Sequence, residues 1–256
     1  MNTHIASISN TRPHSGTGTT NELAVIIPVY NEADGVEKNI GDWIRALSRL
    51  GIRYRIFAIN DGSTDATGAI LEKIAQRHER IDIIHKQNEG HGTAILQGYR
   101  IALKKGYPWI FQTDSDGQFY EADFENVWRN RKSFDCIIGY RYKRNDSFSR
   151  LLVSGVLRQL IFLLWGRKIA DANSPYRLMR HEFLKETLER IPEGTFAPNI
   201  FLSVLGHMQR GVKMLEIPVR HKRRICGCSS IRNAYFFRAL LRSFAQLCSF
   251  RWGGKI

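Results

Sequence analysis

An α/β fold with a mainly parallel central sheet flanked by helices is what this sequence predicts, and three observations carry the prediction. Short apolar runs recur five times between Leu23 and Tyr140. Between them, apolar residues return at helical spacing, so strand and helix signals alternate along the chain. The residues just past four of the runs are mostly polar or small, and each of these turns carries an acid. That is the pattern of a sheet whose ligands gather beyond the carboxyl ends of its strands.

The elements follow in order. LAVIIPV (23–29) reads as a strand, after which Val36, Ile40, Trp43, Ile44 and Leu47 form one face of a helix. RIFAIN (55–60) is a second strand. Ser63 or Asp65 can cap the next helix, with Ala66, Ile70 and Ile74 on one face. IDIIH (81–85) is a third strand, followed by a helix from Gly92 to Lys105 that stops at Gly106. WIFQTD (109–114) is a fourth strand, 121–132 a helix, and DCIIGY (135–140) a fifth strand.

At 256 residues and 43% hydrophobic, the chain can bury one substantial core. Residues 22–232 are read as one large domain. Residues 1–21, rich in Ser, Thr, Gly and Asn, read as a disordered tail without the apolar core of a signal peptide. The net charge of +14 is unevenly placed: residues 1–146 hold 19 Lys+Arg and 18 Asp+Glu, whereas 147–256 hold 19 and 6. The excess belongs to the second part and predicts an anionic partner there. The cysteines Cys136, Cys226, Cys228 and Cys248 have neither disulfide-framework nor zinc spacing, as in a reduced cytosolic protein. No apolar stretch is long enough to span a bilayer, since Leu151 to Trp165 is broken by Arg158 and Gln159.

The turns define the chemistry. The first lacks G-x-G-x-x-G and instead reads Pro28-Val29-Tyr30-Asn31-Glu32, and no G-x-x-x-x-G-K-[ST] loop occurs. Without glycine cradles, a site rich in carboxylates accepts phosphate only through a metal. Asp114-Ser115-Asp116 brings two carboxylates to the end of the fourth strand, which suits a hard divalent cation holding a nucleotide's phosphates. Asp61, past the second strand, is free to accept from a base or ribose group, or is simply a turn-forming Asp in D-G-S.

VIIPVYNE (25–32), NDGSTDAT (60–67), NEGHGTAILQGY (88–99), TDSDGQ (113–118) and GYRY (139–142) together resemble glycosyltransferase family 2. The resemblance is strongest to its dolichol-phosphate mannose synthase branch and bacterial polyprenyl-phosphate relatives. It continues through DANSPYRLMR (171–180) and EIPVRHKRRICGCSS (216–230), covering about residues 22–230. It implies a GT-A (Rossmann-like) glycosyltransferase fold that binds a nucleotide-sugar such as GDP-mannose or UDP-glucose. By the same resemblance Pro28, Tyr30, Glu32 and Asp61 hold the nucleoside, with Ser115 in the same site. Asp114 and Asp116 bind Mg2+ or Mn2+, with Gln118 near the metal. Arg141 and Arg224 approach the phosphates, and Arg177 lies on the acceptor side. The chain departs from the family pattern at Asn60, where an Asp is usual, at Pro175 in place of a glycine, at Ser230 in place of a Lys, and at Asn199, where a carboxylate is common.

Inverting transfer needs a nucleophile behind the sugar's C1 and a stabilised leaving group. A lipid phosphate is already anionic and needs no base, whereas a hydroxyl acceptor needs a carboxylate. Asp171 is the acid within a family-like motif that could serve, and it could equally be a cap or ion-pair partner. The scarcity of acids in the second half favours a polyprenyl or dolichyl phosphate acceptor. A hydroxyl acceptor in polysaccharide or glycolipid synthesis stands as the alternative. Residues 147–168 and Tyr235 to Phe250 combine apolar, aromatic and Arg/Lys side chains, as interfacial helices on an anionic membrane do. Residues 233–256 accordingly read as a basic amphipathic helix and tail. The same stretches could instead pack on the sheet, on a second copy of the chain or on a membrane-protein partner. The expected location is cytoplasmic, on the cytoplasmic face of a membrane. No nucleic-acid signature accompanies the basic charge, so a nucleic-acid binder or a non-catalytic membrane adaptor is a remote reading.

Overall fold

A computed structural model of the chain describes residues 8–9, 21–142, 148–192, 194–222 and 245–252. Its backbone contacts divide into two compact units, Met1–Gly117 with Arg224–Gly227, and Gln118–Arg223 with Cys228–Ile256. The expected domain 22–232 runs through both.

The first unit alternates strand and helix: β1 (Ile8–Ser9), β2 (Leu23–Val29), α1 (Val36–Arg49), β3 (Tyr54–Asp61), α2 (Thr67–Arg77), β4 (Ile81–Lys86), α3 (His91–Lys104) and β5 (Trp109–Gln112). Within this unit the strands run β1-β4-β3-β2-β5. All pairs are parallel except β1, whose Ile8 and Ser9, in the stretch read as tail, pair antiparallel with Ile84 and Ile83. β2 is buried along its whole length, because helices cover both faces of a parallel sheet. The Ile26 carbonyl accepts from Thr113 N, so Ile26 and, two residues on, Pro28 face β5. β5 ends opposite Ile26, and the missing N–H of Pro28 therefore costs no ladder bond.

α1 buries Val36, Asn39, Ile40, Trp43, Ala46 and Leu47, with the Trp43 ring 5.2 Å from that of Phe111. α3 lies so close to β2 that a Cβ on Gly98 would sit 2.3 Å from Ile26 Cγ2. At α2 the N-cap is Ala66 by backbone, but the carboxylate of Asp65 accepts from Thr67 N at 3.0 Å and does the capping.

The second unit holds α4 (Phe124–Asn130), β6 (Cys136–Tyr142), α5 (Phe148–Trp165), β7 (Arg177–Arg180), α6 (His181–Leu188), α7 (Pro198–Met208) and β8 (Met214–Arg220). Strand order is β7-β6-β8, with β6 parallel to β8 and antiparallel to β7. The helix expected over 121–132 is shorter. α4 is flanked by 3-10 turns, and Asn130 folds its amide back on the Asn126 carbonyl. β7 and β8 extend the strands read from the sequence: one is four residues long, and the other carries Pro218, which weakens a strand signal. α7 is mostly apolar around its circumference and is buried from Pro198 through Gly206. No helix among the described residues is long and apolar enough to cross a membrane.

Candidate active site

In the first unit the loops after β2 and β3 are latched together. Asn31, at positive φ (51°), receives a hydrogen bond from Thr64 N at 2.8 Å. It donates its own N–H to Ser63 Oγ at 3.0 Å. Glu32 N donates to Thr67 Oγ1 at 2.8 Å, and Ala33 N to Asp65 Oδ2 at 3.2 Å. Desolvation acts to raise the Asp65 carboxyl, but hydrogen bonds from the Thr67 hydroxyl and the Thr67 and Ala33 amides outweigh it and hold it below the usual range. Tyr30 stays half-buried, Glu32 is buried and Pro28 is sealed into β2, so the predicted nucleoside loop is a pre-shaped surface.

Asp61 is not free, as the sequence reading had it. Lys86 Nζ donates to its Oδ1 at 2.6 Å, and Glu89 N and Gly90 N donate to Oδ1 and Oδ2 at 3.1 and 2.9 Å. At 3% exposure it ties β3 to the loop before α3. Its neighbour Gly62 (φ 69°) could not be another residue, since a Cβ would lie 2.6 Å from Asn88 N.

Ser115 is buried at the end of β5, with Asp114 and Asp116 half-buried on either side. Among the described residues Asp114 Oδ1 is buried and accepts no hydrogen bond, and His91 Nε2 lies 3.6 Å from it. A buried carboxylate oxygen without a donor is costly unless something satisfies it, and a hard cation does so. Among the described residues no group of three or more His, Cys, Asp or Glu converges to hold a metal alone. The pair suits a Mg2+ or Mn2+ ion that takes its remaining oxygens from phosphate and water. His91, at the start of α3 in the NEGHGT stretch, went unnoticed in the sequence although the motif contains it.

In the second unit three expectations change. Gln118, expected near the metal, commits its amide nitrogen to the Lys222 carbonyl at 3.0 Å, beside the Phe119–His221 bridge, so the expectation narrows to its amide oxygen. Arg177 does not lie on an acceptor surface. It is fully buried and donates to the carbonyls of Ala172, Ser174 and Asn199, because a long side chain on a short interior strand satisfies the loops around it. Arg141, expected on phosphate, and Asp171, read as a base or equally as an ion-pair partner, grip each other bidentately. Arg224 lies outside the described residues.

Arg141 and Asp171 nevertheless line an open cleft of about 680 Å3 within this unit. Arg158, Lys168 and Glu216 add charge, and Tyr140, Tyr142 and Phe162 form aromatic walls. Arg158 donates to the Ala170 carbonyl at 3.0 Å while Glu216 accepts from Ala170 N, which clamps the loop at the cleft's edge. Beside it α5 exposes Val156, Phe162 and Leu163, the last 74% accessible.

A parallel α/β sheet with a carboxylate pair beyond β5 and a latched loop beyond β2 defines a glycosyltransferase of the GT-A class. The description Glycosyl transferase family 2 matches residues 24–188, and the chain belongs to that family. It is 26% identical over 232 residues to the polyprenol monophosphomannose synthase of Mycolicibacterium smegmatis, covering 87% of this chain and 86% of that one. To the undecaprenyl-phosphate 4-deoxy-4-formamido-L-arabinose transferase of Edwardsiella ictaluri it is 28% identical over 208 residues, 80% of this chain and 61% of that one. The fold is shared with glucosyl-3-phosphoglycerate synthase of Mycobacterium tuberculosis, crystallised with Mn2+, UDP and glucosyl-3-phosphoglycerate. The TM-score is 0.68 at 15% identity, over 91% of this chain and 80% of that one.

Proposed function

We propose that this glycosyltransferase moves a sugar, with inversion, from a nucleotide-sugar to a polyprenyl phosphate at a membrane surface, using Mg2+ or Mn2+. The observation that carries the reading is the cleft of the second unit. It sets Arg141, Arg158 and Lys168 among aromatic walls, beside the exposed apolar face of α5. Cations suit a phosphate headgroup, and an apolar face suits its isoprenoid tail and the bilayer around it. Both curated relatives are named for polyprenyl-type acceptors, which supports the same choice.

Asp114 and Asp116 would hold the metal, which when bound supplies charge neutralisation to the departing nucleoside diphosphate. Tyr30 and Glu32 would seat the nucleoside on the latched loop, and Asp61 would act by fixing the loop around it. No side chain need take a proton from an anionic phosphate nucleophile. Asp171, with both oxygens committed to Arg141, is accordingly assigned to orienting that guanidinium. The resulting location is the cytoplasmic face of a membrane, reached through α5 and the helical residues 245–252.

The test is transfer of radiolabelled sugar from GDP-mannose and UDP-glucose to undecaprenyl phosphate in anionic vesicles, with Mn2+ or with chelator. Labelled lipid that needs the metal supports the reading. Labelling of a free sugar hydroxyl with polyprenyl phosphate ignored would sink it.

A further inference from the structure

A chain of side-chain contacts runs from the surface to the nucleotide loops. His85 on β4 sits opposite Asn60 on β3 in the sheet register. Its Nε2 meets Glu72 Oε1 of α2 at 2.8 Å, and its Nδ1 meets Asn60 Nδ2 at 2.9 Å. Asn60 Oδ1 in turn accepts from Ser63 N at 3.1 Å, and Ser63 Oγ accepts from Asn31 N. The donors fix one tautomer: the amide donates to Nδ1, so the ring proton is on Nε2 and goes to Glu72. Asn60 is 4% exposed, whereas the side chains of His85 and Glu72 keep 31% and 33%, so protons reach the outer end of the chain.

We propose that Glu72, His85 and Asn60 are positioning residues that hold the nucleotide loops in shape while His85 is neutral and release them when it is protonated. A proton on Nδ1 would face the Asn60 amide N–H. Turning that amide to offer its oxygen would set its NH2 against Ser63 N. In the first case the two donors repel and push the Asn60 amide from its place; in the second Ser63 N loses its acceptor outright, and both loosen the turn whose Ser63 Oγ holds Asn31 between Tyr30 and Glu32. Among the described residues the charged group meeting His85 is Glu72; Lys86, next on β4, pairs with Asp61 and Glu89. From β3 the facing group is Asn60, and β1 presents Ile8 and Ser9 to Ile84 and Ile83. The arrangement also gives a reason for Asn60: a carboxylate there would prefer a doubly protonated imidazole.

The link to affinity rests on the nucleotide reading of these loops, so the experiment separates the two. In the full-length protein, the Ser63 amide and the His85 ring nitrogens are followed by NMR from about pH 8 to about pH 5.5. GDP and UDP binding is measured with Mn2+ over the same range. An unmade buried hydrogen bond corresponds to roughly a tenfold loss of affinity across it. The expected result is a Ser63 signal that follows His85, a tenfold fall that H85N abolishes by offering an untitratable acceptor, and a reversed dependence in N60D. A Ser63 amide indifferent to His85 protonation overturns the relay. If the amide follows His85 but neither nucleotide's affinity does, the relay stands and its role in nucleotide binding is overturned.

Discussion

Arg141 and Asp171 are locked to each other: Nε meets Oδ2 at 2.7 Å and Nη2 meets Oδ1 at 2.9 Å. With side chains only 17% and 8% exposed, each offsets part of what burying the other's charge costs. D171A should therefore destabilise the protein by about 3 kcal/mol, toward the lower end for a broken buried pair because Arg141 keeps some exposure. D171N keeps the shape and should retain kcat within about tenfold, since a positioned general base contributes about a hundredfold or more. Steady-state kinetics on the lipid phosphate decide this, and a thousandfold fall in kcat for D171N at unchanged KM would make Asp171 the base.

How much of this was readable beforehand differs between the two units. The strands and the loops after β2, β3 and β5 were legible, because apolar runs and turn residues are local signals. What Asp61, Gln118 and Arg177 do was not, because it depends on partners far away in sequence: Lys86, Lys222 and Asn199. An Arg can lie on a surface or cap buried carbonyls, and spacing does not distinguish the two. The pairing of Asn60 with His85 is of the same kind, set by the register of β3 on β4.

Asp114 Oδ1, which accepts no hydrogen bond among the described residues, makes metal binding separable from folding. D114N and D116N should each lower Mn2+-supported turnover by on the order of a hundredfold, since charge neutralisation at the leaving group is worth several kcal/mol. Melting temperature without metal should hold or rise, because replacing one of two adjacent carboxylates relieves like-charge repulsion. Calorimetric Mn2+ titration in the presence of UDP or GDP would check it. Undiminished Mn2+ binding in both variants would move the metal elsewhere.

Acid should open the loop latch at Asp65. Its carboxyl is held below the ordinary Asp range once folded, so its contribution is present above the unfolded value near pH 4. It is lost as pH falls through the lower folded value. Being exposed, it carries little global stability. The expected signature is therefore local: faster exchange of the Ala33 and Thr67 amides below about pH 4, reproduced at neutral pH by D65A.

Burial pushes the Cys136 thiol up to about 12 against a smaller opposing pull from Arg177. The thiolate is the reactive form, so Cys136 should resist iodoacetamide at pH 8 in the folded protein and react only on unfolding. Mass spectrometry after pulse labelling gives the answer by peptide. Labelling of Cys136 as fast as the half-buried Cys248 would contradict its place in β6.

Gly62 and Gly106 share nearly the same backbone angle, φ 69° and 72°, and differ in what surrounds them. A Cβ on Gly106 would meet nothing within 4 Å, so G106A carries only the left-handed backbone cost of roughly 1 kcal/mol. On Gly62 the same Cβ would press to 2.6 Å of Asn88 N, in the loop whose Glu89 and Gly90 amides Asp61 holds. Backbone cannot rotate aside as a side chain can, so the β3 turn and the loop before α3 must part. G62A should therefore cost about 2 kcal/mol more than G106A, within the range for overpacking. It should also weaken nucleotide binding, which G106A should leave unchanged. Urea denaturation and UDP or GDP titration of the two variants measure both differences, and equal losses in the pair would mean that the turn after β3 does not depend on its contact with Asn88.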